Sequence, residues 1–526
     1  MNFSRFLLRN ILVLSLAAIS WQEGFSAQVL KEKGITRADS LKTEKPVERR
    51  IPRPSPMREL QSDIDGLLAN PDFSNAFVGI AVQGIESGEY IYRKNETKNF
   101  LPASTLKLLT TAAAFEYLGK DFRYTTRVFL DGELQASGEF EGNIIIRASG
   151  DPSMSSYFYA DPTDIIEEFA AKLDSAGIRS IRGNIIGDDS YFDNVPFGPG
   201  WAWDDEIYPY SAQVNALSIN DNKVDITVIP GKIAGDPARI LVTPEVSYVR
   251  VLNNVTTAQF NEPTDIVPIR EVHSNVIELQ GRIAASLEKT PEPYVISVTI
   301  DNPTLFFLSL LKQSLEKRGI RFRGALLDGD DWNDRIDYTE LPLICEHVSP
   351  PLFQIIKVTN TFSHNLCADM LFKTIAKEGT GEGSFLKGSE QVERFAARIG
   401  LSPESMNIVD GSGLSRMSMV TPQQFVTLLS AMYRSDNRKE FTASLPIPGE
   451  PGTLRGRMTQ SRAEKSVIAK TGSLNNISTL SGYVTTRDKE VLAFSIMMNN
   501  YTVPDSMARN LQDLLCMRLA SFSRKP

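Results

Sequence analysis

The sequence predicts an α/β (α+β) protein in which one antiparallel sheet, flanked by helices, is split by a large, mostly β insertion. Three observations predict it. A strand–turn–strand pattern near residue 80 leads straight into an apolar helix. Three further strand-like runs lie between residues 466 and 498. The residues between, about 124–338, read as short β-rich runs separated by turns. Of the 526 residues, 42% are hydrophobic and 23% charged, which is enough apolar material for a core and excludes disordered and fibrous classes. The net charge is -8, and the only basic cluster is Arg49-Arg50 with Arg53, which argues against nucleic acid as a partner.

The elements follow in order. Arg5 and Arg9 precede the apolar run Ile11 to Ile19, too short to span a bilayer, and small residues (Ser20, Gly24, Ser26, Ala27) come after it. Residues 1–27 therefore read as a secretory signal peptide, with an uncleaved anchor as the alternative. The expected location is periplasmic or otherwise extracytoplasmic, with no transmembrane segment after signal removal. Residues 28–57, rich in Lys, Arg, Glu and Pro, read as a linker. Leu60, Ile64 and Leu67-Leu68 then fall at helical spacing, Ala76 to Val82 reads as a buried strand, and Tyr90 to Tyr92 returns as its hairpin partner. Pro102-Ala103-Ser104-Thr105-Leu106-Lys107 opens the apolar helix Leu108 to Leu118, which Gly119 stops.

Within 124–338, runs such as Gly142 to Ile146 and Val224 to Val228 alternate with turns such as Gly150-Asp151-Pro152, giving one or two small inserted domains. Helices are expected again at Pro351 to Val358, Asn365 to Ile375 and Thr421 to Tyr433. Strands follow at Ser466 to Ala469, Thr479 to Val484 and Val491 to Met498, and a helix from Ser506 to about Leu519 closes the chain. Residues 58–123 and 339–526 thus form one split domain. Cys345, Cys367 and Cys516 fit no zinc or redox spacing and read as buried small side chains, so neither a metal nor another cofactor is expected.

Three short patterns carry chemistry. In Ser104-x-x-Lys107 a helical turn puts the ammonium within reach of the hydroxyl, and burial among Leu108, Leu109 and Ala112 to Ala114 would lower the lysine pKa enough for it to act as a base. Ser286/Lys289, Ser309/Lys312, Ser314/Lys317 and Ser384/Lys387 share that spacing and read as solvated positions. In Ser363-His364-Asn365 a hydroxyl and an amide sit in a break between helices. The rival Ser435-Asp436-Asn437 lies in a charged stretch that reads as surface. Lys470-Thr471-Gly472 ends a strand, supplying a cation and a hydroxyl for a carboxylate, with Gly472 letting a substrate backbone approach the edge.

In that order the three resemble the motif set of serine β-lactamases and penicillin-binding proteins. The chain is similar in particular to the D-alanyl-D-alanine carboxypeptidase/endopeptidase branch, the type-4 low-molecular-mass penicillin-binding proteins. That branch has a long insertion between its first and second motifs. The resemblance covers roughly residues 60 to 520 and includes Ser149-Gly150-Asp151-Pro152, Gly187 to Phe192, Gly200-Trp201-Ala202-Trp203, Ala216-Leu217-Ser218 and Asp410 to Arg416. It implies a β-lactamase-like catalytic domain that hydrolyses peptidoglycan stem peptides or cross-links through an acyl-Ser104 intermediate and is acylated by β-lactams. It implies Lys107 as general base, Ser363 and Asn365 as relay and substrate contacts, and Lys470 as a polarising cation. Thr471, Gly472 and Ser473 would line the substrate, with the Ser104 and Ser473 amides as oxyanion hole. Asp151 and Arg416 would contact a diaminopimelate side chain. Two positions depart from the family pattern: His364 stands where a small polar residue is usual, and Asn475 where some members have Gln.

A Ser-His-Asp hydrolase and a metallopeptidase are disfavoured, because the chain has only His273, His347 and His364 and no ligand spacing. A β-lactamase and a wall-binding protein with a vestigial site remain as alternatives. Carboxypeptidase against endopeptidase balance and oligomeric state stay open.

Overall fold

A computed structural model describes residues 55–286, 294–332 and 336–525. The expected signal peptide and nearly all of the linker lie outside the described residues. Five antiparallel strands form one sheet in the spatial order Val467–Leu474, Ile477–Thr485, Val491–Asn499, Phe77–Gly84, Tyr90–Lys94. Phe77 faces Asn499 and Gly84 faces Leu492, so an N-terminal strand is seated against a C-terminal one.

Side chains alternate between the two faces, as the pleat requires. Val78, Ile80, Val82, Phe494, Ile496 and Met498 join one core with the helices Pro56–Leu68 and Asp505–Ser521. Ala81, Ala493, Met497 and Tyr483 join the other with the helices Lys107–Leu118 and Pro422–Arg434. Both faces are covered, and for that reason the strands read as continuous apolar runs. The helix Lys107–Leu118 buries every residue from Lys107 to Phe115 and packs against the helices Leu352–Thr361, Asn365–Thr380 and Phe385–Arg398. A helix apolar all round belongs at the centre of its domain.

The intervening region holds a mixed seven-stranded sheet and two three-stranded sheets. It is less purely β than expected. Asp164–Ser175 and Pro303–Lys317 are helices that pack on one another, Asp164–Ser175 against the strand Leu343–Val348 and Pro303–Lys317 against Ile185–Asp188 and Leu326–Asp328. The strand Leu343–Val348 pairs with Thr125–Leu134, so the sheet of this region continues past the expected division at 338. The third motif also differs. The strand does not stop at Ala469 but runs from Val467 to Leu474, so Lys470 to Ser473 lie within an edge strand. Among the described residues no helix is long and apolar enough to cross a membrane.

Candidate active site

Ser104 sits in a 3-10 turn, Ala103–Leu106, that feeds directly into the helix beginning at Lys107. In such a turn residues three apart are nearly eclipsed, and the lysine is brought onto the serine more tightly than an α-helix would bring it. Lys107 Nζ donates to Ser104 Oγ at 2.9 Å. Ala103 holds φ 47, a conformation costing on the order of 1–3 kcal/mol for a residue with a Cβ. Gly413 packs on it: a Cβ there would lie 2.0 Å from the Ala103 carbonyl oxygen.

Lys107 is completely buried. Its other two hydrogen bonds go to Asn365 Oδ1 at 2.6 Å and the Ser412 carbonyl at 2.8 Å. Neither acceptor can give a proton back. Loss of one proton therefore leaves two N–H groups on these acceptors and turns the lone pair toward the Ser104 hydroxyl. Burial lowers its pKa to about 8, against the pull of the Asp369 and Asp410 carboxylates.

Both carboxylates are fully buried; Asp410 opens one of the stretches that match the family but carries no role there, and Asp369 belongs to no motif. Asp369 lies one turn after Asn365 and accepts from the amides of Gly411 (2.7 Å) and Ser412 (3.0 Å), which orients the Ser412 carbonyl. Burial and the neighbouring Asp410 raise its pKa to about 7. Asp410 accepts from Trp201 Nε1 (3.1 Å) and the Ser415 amide (2.7 Å), folding the loop under the lysine.

The second motif occupies the break between helices Leu352–Thr361 and Asn365–Thr380, with Ser363 at φ 61. Asn365 Nδ2 donates to the Tyr210 carbonyl at 2.8 Å, which fixes its amide with the oxygen toward Lys107. His364 explains its own departure from the family pattern. Its Nδ1 accepts from the Cys367 amide at 3.2 Å, capping the helix as a small polar residue would. The proton then resides on Nε2, which meets Asp221 Oδ1 at 3.1 Å. Ser363 Oγ accepts from Lys470 Nζ at 2.8 Å. Lys470 is completely buried and has a second bond to the Thr471 carbonyl. Burial, then repulsion from Lys107, holds its pKa well below the usual lysine value.

Gly472 has a role within the protein itself. A Cβ there would lie 2.2 Å from Thr479 Oγ1, 2.8 Å from the Pro102 carbonyl oxygen and 2.9 Å from Ser104 N. The protein backbone that approaches is the turn carrying Ser104. Thr471 Oγ1 bonds Thr453 Oγ1 at 2.8 Å. The cleft above Ser104 and Ser363 has two lobes. One, about 410 Å3, is lined by Tyr210, Arg416 and Asn475; the other, about 600 Å3, by Thr453, Thr471 and Arg509; Ser473 borders both.

Ser104, Ser363, Asn365, Thr471, Ser473 and Arg416 therefore line one cleft, the buried Lys107 and Lys470 reach it through their bonds to Ser104 and Ser363, and Gly472 packs behind the Ser104 turn. Asp151 does not line it. It is buried, accepts from the Ser153 amide at 2.8 Å and lies 3.9 Å from His347, and burial raises its pKa. A Gly-Asp-Pro turn folds inward here because the Asp caps its own backbone. The pairs Ser309/Lys312, Ser314/Lys317 and Ser384/Lys387 do not line the cleft, but not all are solvated: Ser314 is buried within a helix, and Ser384 caps the helix Phe385–Arg398. Lys289 lies outside the described residues. Oxygens of Asp189, Asp328 and Asp330 lie within 4.8 Å of one another in the inserted region. Asp189 is already bonded by Asn215 and Thr304.

A family model described as the D-Ala-D-Ala carboxypeptidase 3 (S13) family matches residues 60–521. The chain is 32% identical over 481 residues to a D-alanyl-D-alanine carboxypeptidase of Actinomadura, covering 89% of this chain and 85% of that protein. It is 28% identical to the D-alanyl-D-alanine carboxypeptidase DacB of Haemophilus influenzae, covering 83% and 87%. The crystal structure of penicillin-binding protein 4 from that organism matches with a TM-score of 0.74 at 26% identity, covering 87% of this chain and 97% of that one. A second crystal structure of the same protein holds a β-lactam.

Proposed function

The chain belongs to the D-Ala-D-Ala carboxypeptidase 3 (S13) family, and from that premise we propose that it is a serine-type D-Ala-D-Ala carboxypeptidase/endopeptidase working through Ser104. The observation that carries this is the bond from Lys107 to Ser104, with the remaining lysine donors spent on Asn365 and Ser412.

Neutral Lys107 takes the Ser104 proton as Oγ attacks the carbonyl of the penultimate D-Ala in a stem peptide. The amides of Ser104 and Ser473 receive the developing oxyanion. Ser363, accepting from Lys470, gives its proton to the departing amine and is resupplied with the one Lys107 took from Ser104, which leaves Lys107 neutral to take a proton from the attacking water. D-Ala or a cross-linked amine leaves, water attacks the ester, and Ser104 is regenerated. A β-lactam enters the same path and stalls as the acyl-enzyme. Arg416, in the lobe beside Asn475, reads the side chain of the acyl donor. Residues 58–123 and 339–526 supply the catalytic groups, and the inserted region frames the cleft. The substrate places the protein in the cell envelope, outside the cytoplasm.

Incubation with a fluorescent penicillin followed by peptide mapping tests this. A single adduct on Ser104, absent in Ser104→Ala, is expected. Labelling elsewhere, none at all, or rapid turnover of the penicillin would overturn it, the last in favour of a β-lactamase.

A further inference from the structure

The lobe on the Thr471 side is larger than the one assigned to the acyl donor, about 600 Å3 against about 410 Å3. A single departing D-alanine leaves most of it unfilled. Its charge is also uneven. Arg457 is neutralised in place, its guanidinium bonding Asp513 Oδ1 at 2.7 Å and Gln512 Oε1 at 3.1 Å. Arg509 lies on the same helix one turn before Asp513 and is exposed; its carbonyl accepts from Arg457 at 3.2 Å, but its guanidinium makes no hydrogen bond or ion pair with a described residue. The carboxylate one turn earlier, Asp505, accepts from the Tyr501 hydroxyl at 2.7 Å. Ser506 and the first turn of the helix Asp505–Ser521 border the lobe as well, adding the positive end of the helix dipole.

We infer that this lobe is a leaving-strand subsite and that Arg509 binds a carboxylate carried by a leaving peptide longer than one residue. The inference rests on the proposed function. Thr471 and Ser473 border the scissile bond and take the carboxylate next to the departing nitrogen, which D-alanine and a cross-linked strand both present. Only the strand brings a second carboxylate into the lobe. A guanidinium offers that group a paired, charge-assisted contact, and one such contact at a partly exposed site corresponds to about a tenfold change in kcat/KM. Arg509 would then be a specificity-determining residue that biases the enzyme toward cross-link cleavage.

The test uses the full-length protein and three substrates: an N-acylated peptide ending in D-Ala-D-Ala, a soluble cross-linked muropeptide dimer, and the same dimer with its leaving strand amidated at every carboxylate except the one next to the departing nitrogen. Arg509→Gln should lower kcat/KM on the free-carboxylate dimer about tenfold more than on the short peptide. Wild type should cleave the amidated dimer as slowly as the variant cleaves the free one, and Arg509→Lys should recover part of the loss. Penicillin labelling of each variant reports that it is folded. Equal effects on dimer and short peptide, or indifference of wild type to amidation, would overturn the inference. A wild type labelled at Ser104 that cleaves the short peptide but not the dimer would overturn it alone. A wild type not labelled at Ser104 would overturn the proposed function, and this inference with it.

Discussion

An ordinary lysine, with its pKa at 10.5, is neutral at pH 7 in about three molecules in ten thousand; at about 8 the figure is about one in ten. That gain of about 300-fold in base is what burial of Lys107 contributes, and the sign is testable. The neutral form is the active one, so the rate constant for penicillin acylation should climb about tenfold per pH unit below about 8 and level off above it. A rate flat between pH 6 and 8 would contradict the assignment of Lys107 as base. Lys107→Ala should slow the same reaction about 100- to 10,000-fold, read from the time course of labelling. Lys470 is complementary: a buried amino group, ion-paired to no described carboxylate, whose Nζ donates to Ser363.

Among the elements, the loop from Asp410 to Ser415 and the edge strand Val467–Leu474 place these groups. Asp369 pulls the Lys107 pKa upward through its charge, so Asp369→Asn should move the rising limb of the acylation profile to lower pH. The Asn Oδ1 still accepts from the Gly411 and Ser412 amides, whereas Asp369→Ala removes that buried acceptor and should lower stability by about 1–3 kcal/mol in denaturant titration. Gly472→Ala should cost more in activity than in folding. Its Cβ meets the backbone of the Ser104 turn, and displacement of that turn by about 1 Å is expected to cut acylation about 100-fold.

This is the scale at which sequence reading parted from structure. Ser104, Lys107, Ser363, Asn365 and Lys470 were legible because each motif is local and its side chains announce the chemistry. The Ser412 and Tyr210 carbonyls were not, because a backbone oxygen leaves no mark on residue type. Asp369 was hidden inside a helix whose spacing reads simply as helix. The inserted helix Asp164–Ser175 was legible in principle: Ile165, Ile166, Phe169, Ala170 and Leu173 follow the 3.6-residue period, but the β-rich runs around it dominated the reading. Asp151 went the other way, a motif residue whose side chain is spent on its own turn.

At the scale of the whole molecule, the inserted region does more than separate the motifs. Tyr210 holds Asn365 through its carbonyl, and Asp221 meets His364, so the second motif is braced by the long segment that separates it from the first. Asp221 sits at φ 54, where glycine is at ease. Asp221→Gly therefore removes the carboxylate without straining the turn. It should destabilise the protein by about 1–3 kcal/mol and slow penicillin labelling several-fold, measured side by side; unchanged labelling would mean that the brace is structural only.

The interleaved sheet imposes an order on biogenesis. The strand Phe77–Gly84 leaves the ribosome long before Val491–Asn499, the neighbour it must pair with. At 5–20 residues per second that wait is roughly 20–80 s, during which an apolar edge is open to misassociation. A nascent chain released before residue 491 would lack the central member of the sheet and could not mature into a smaller, weaker catalyst.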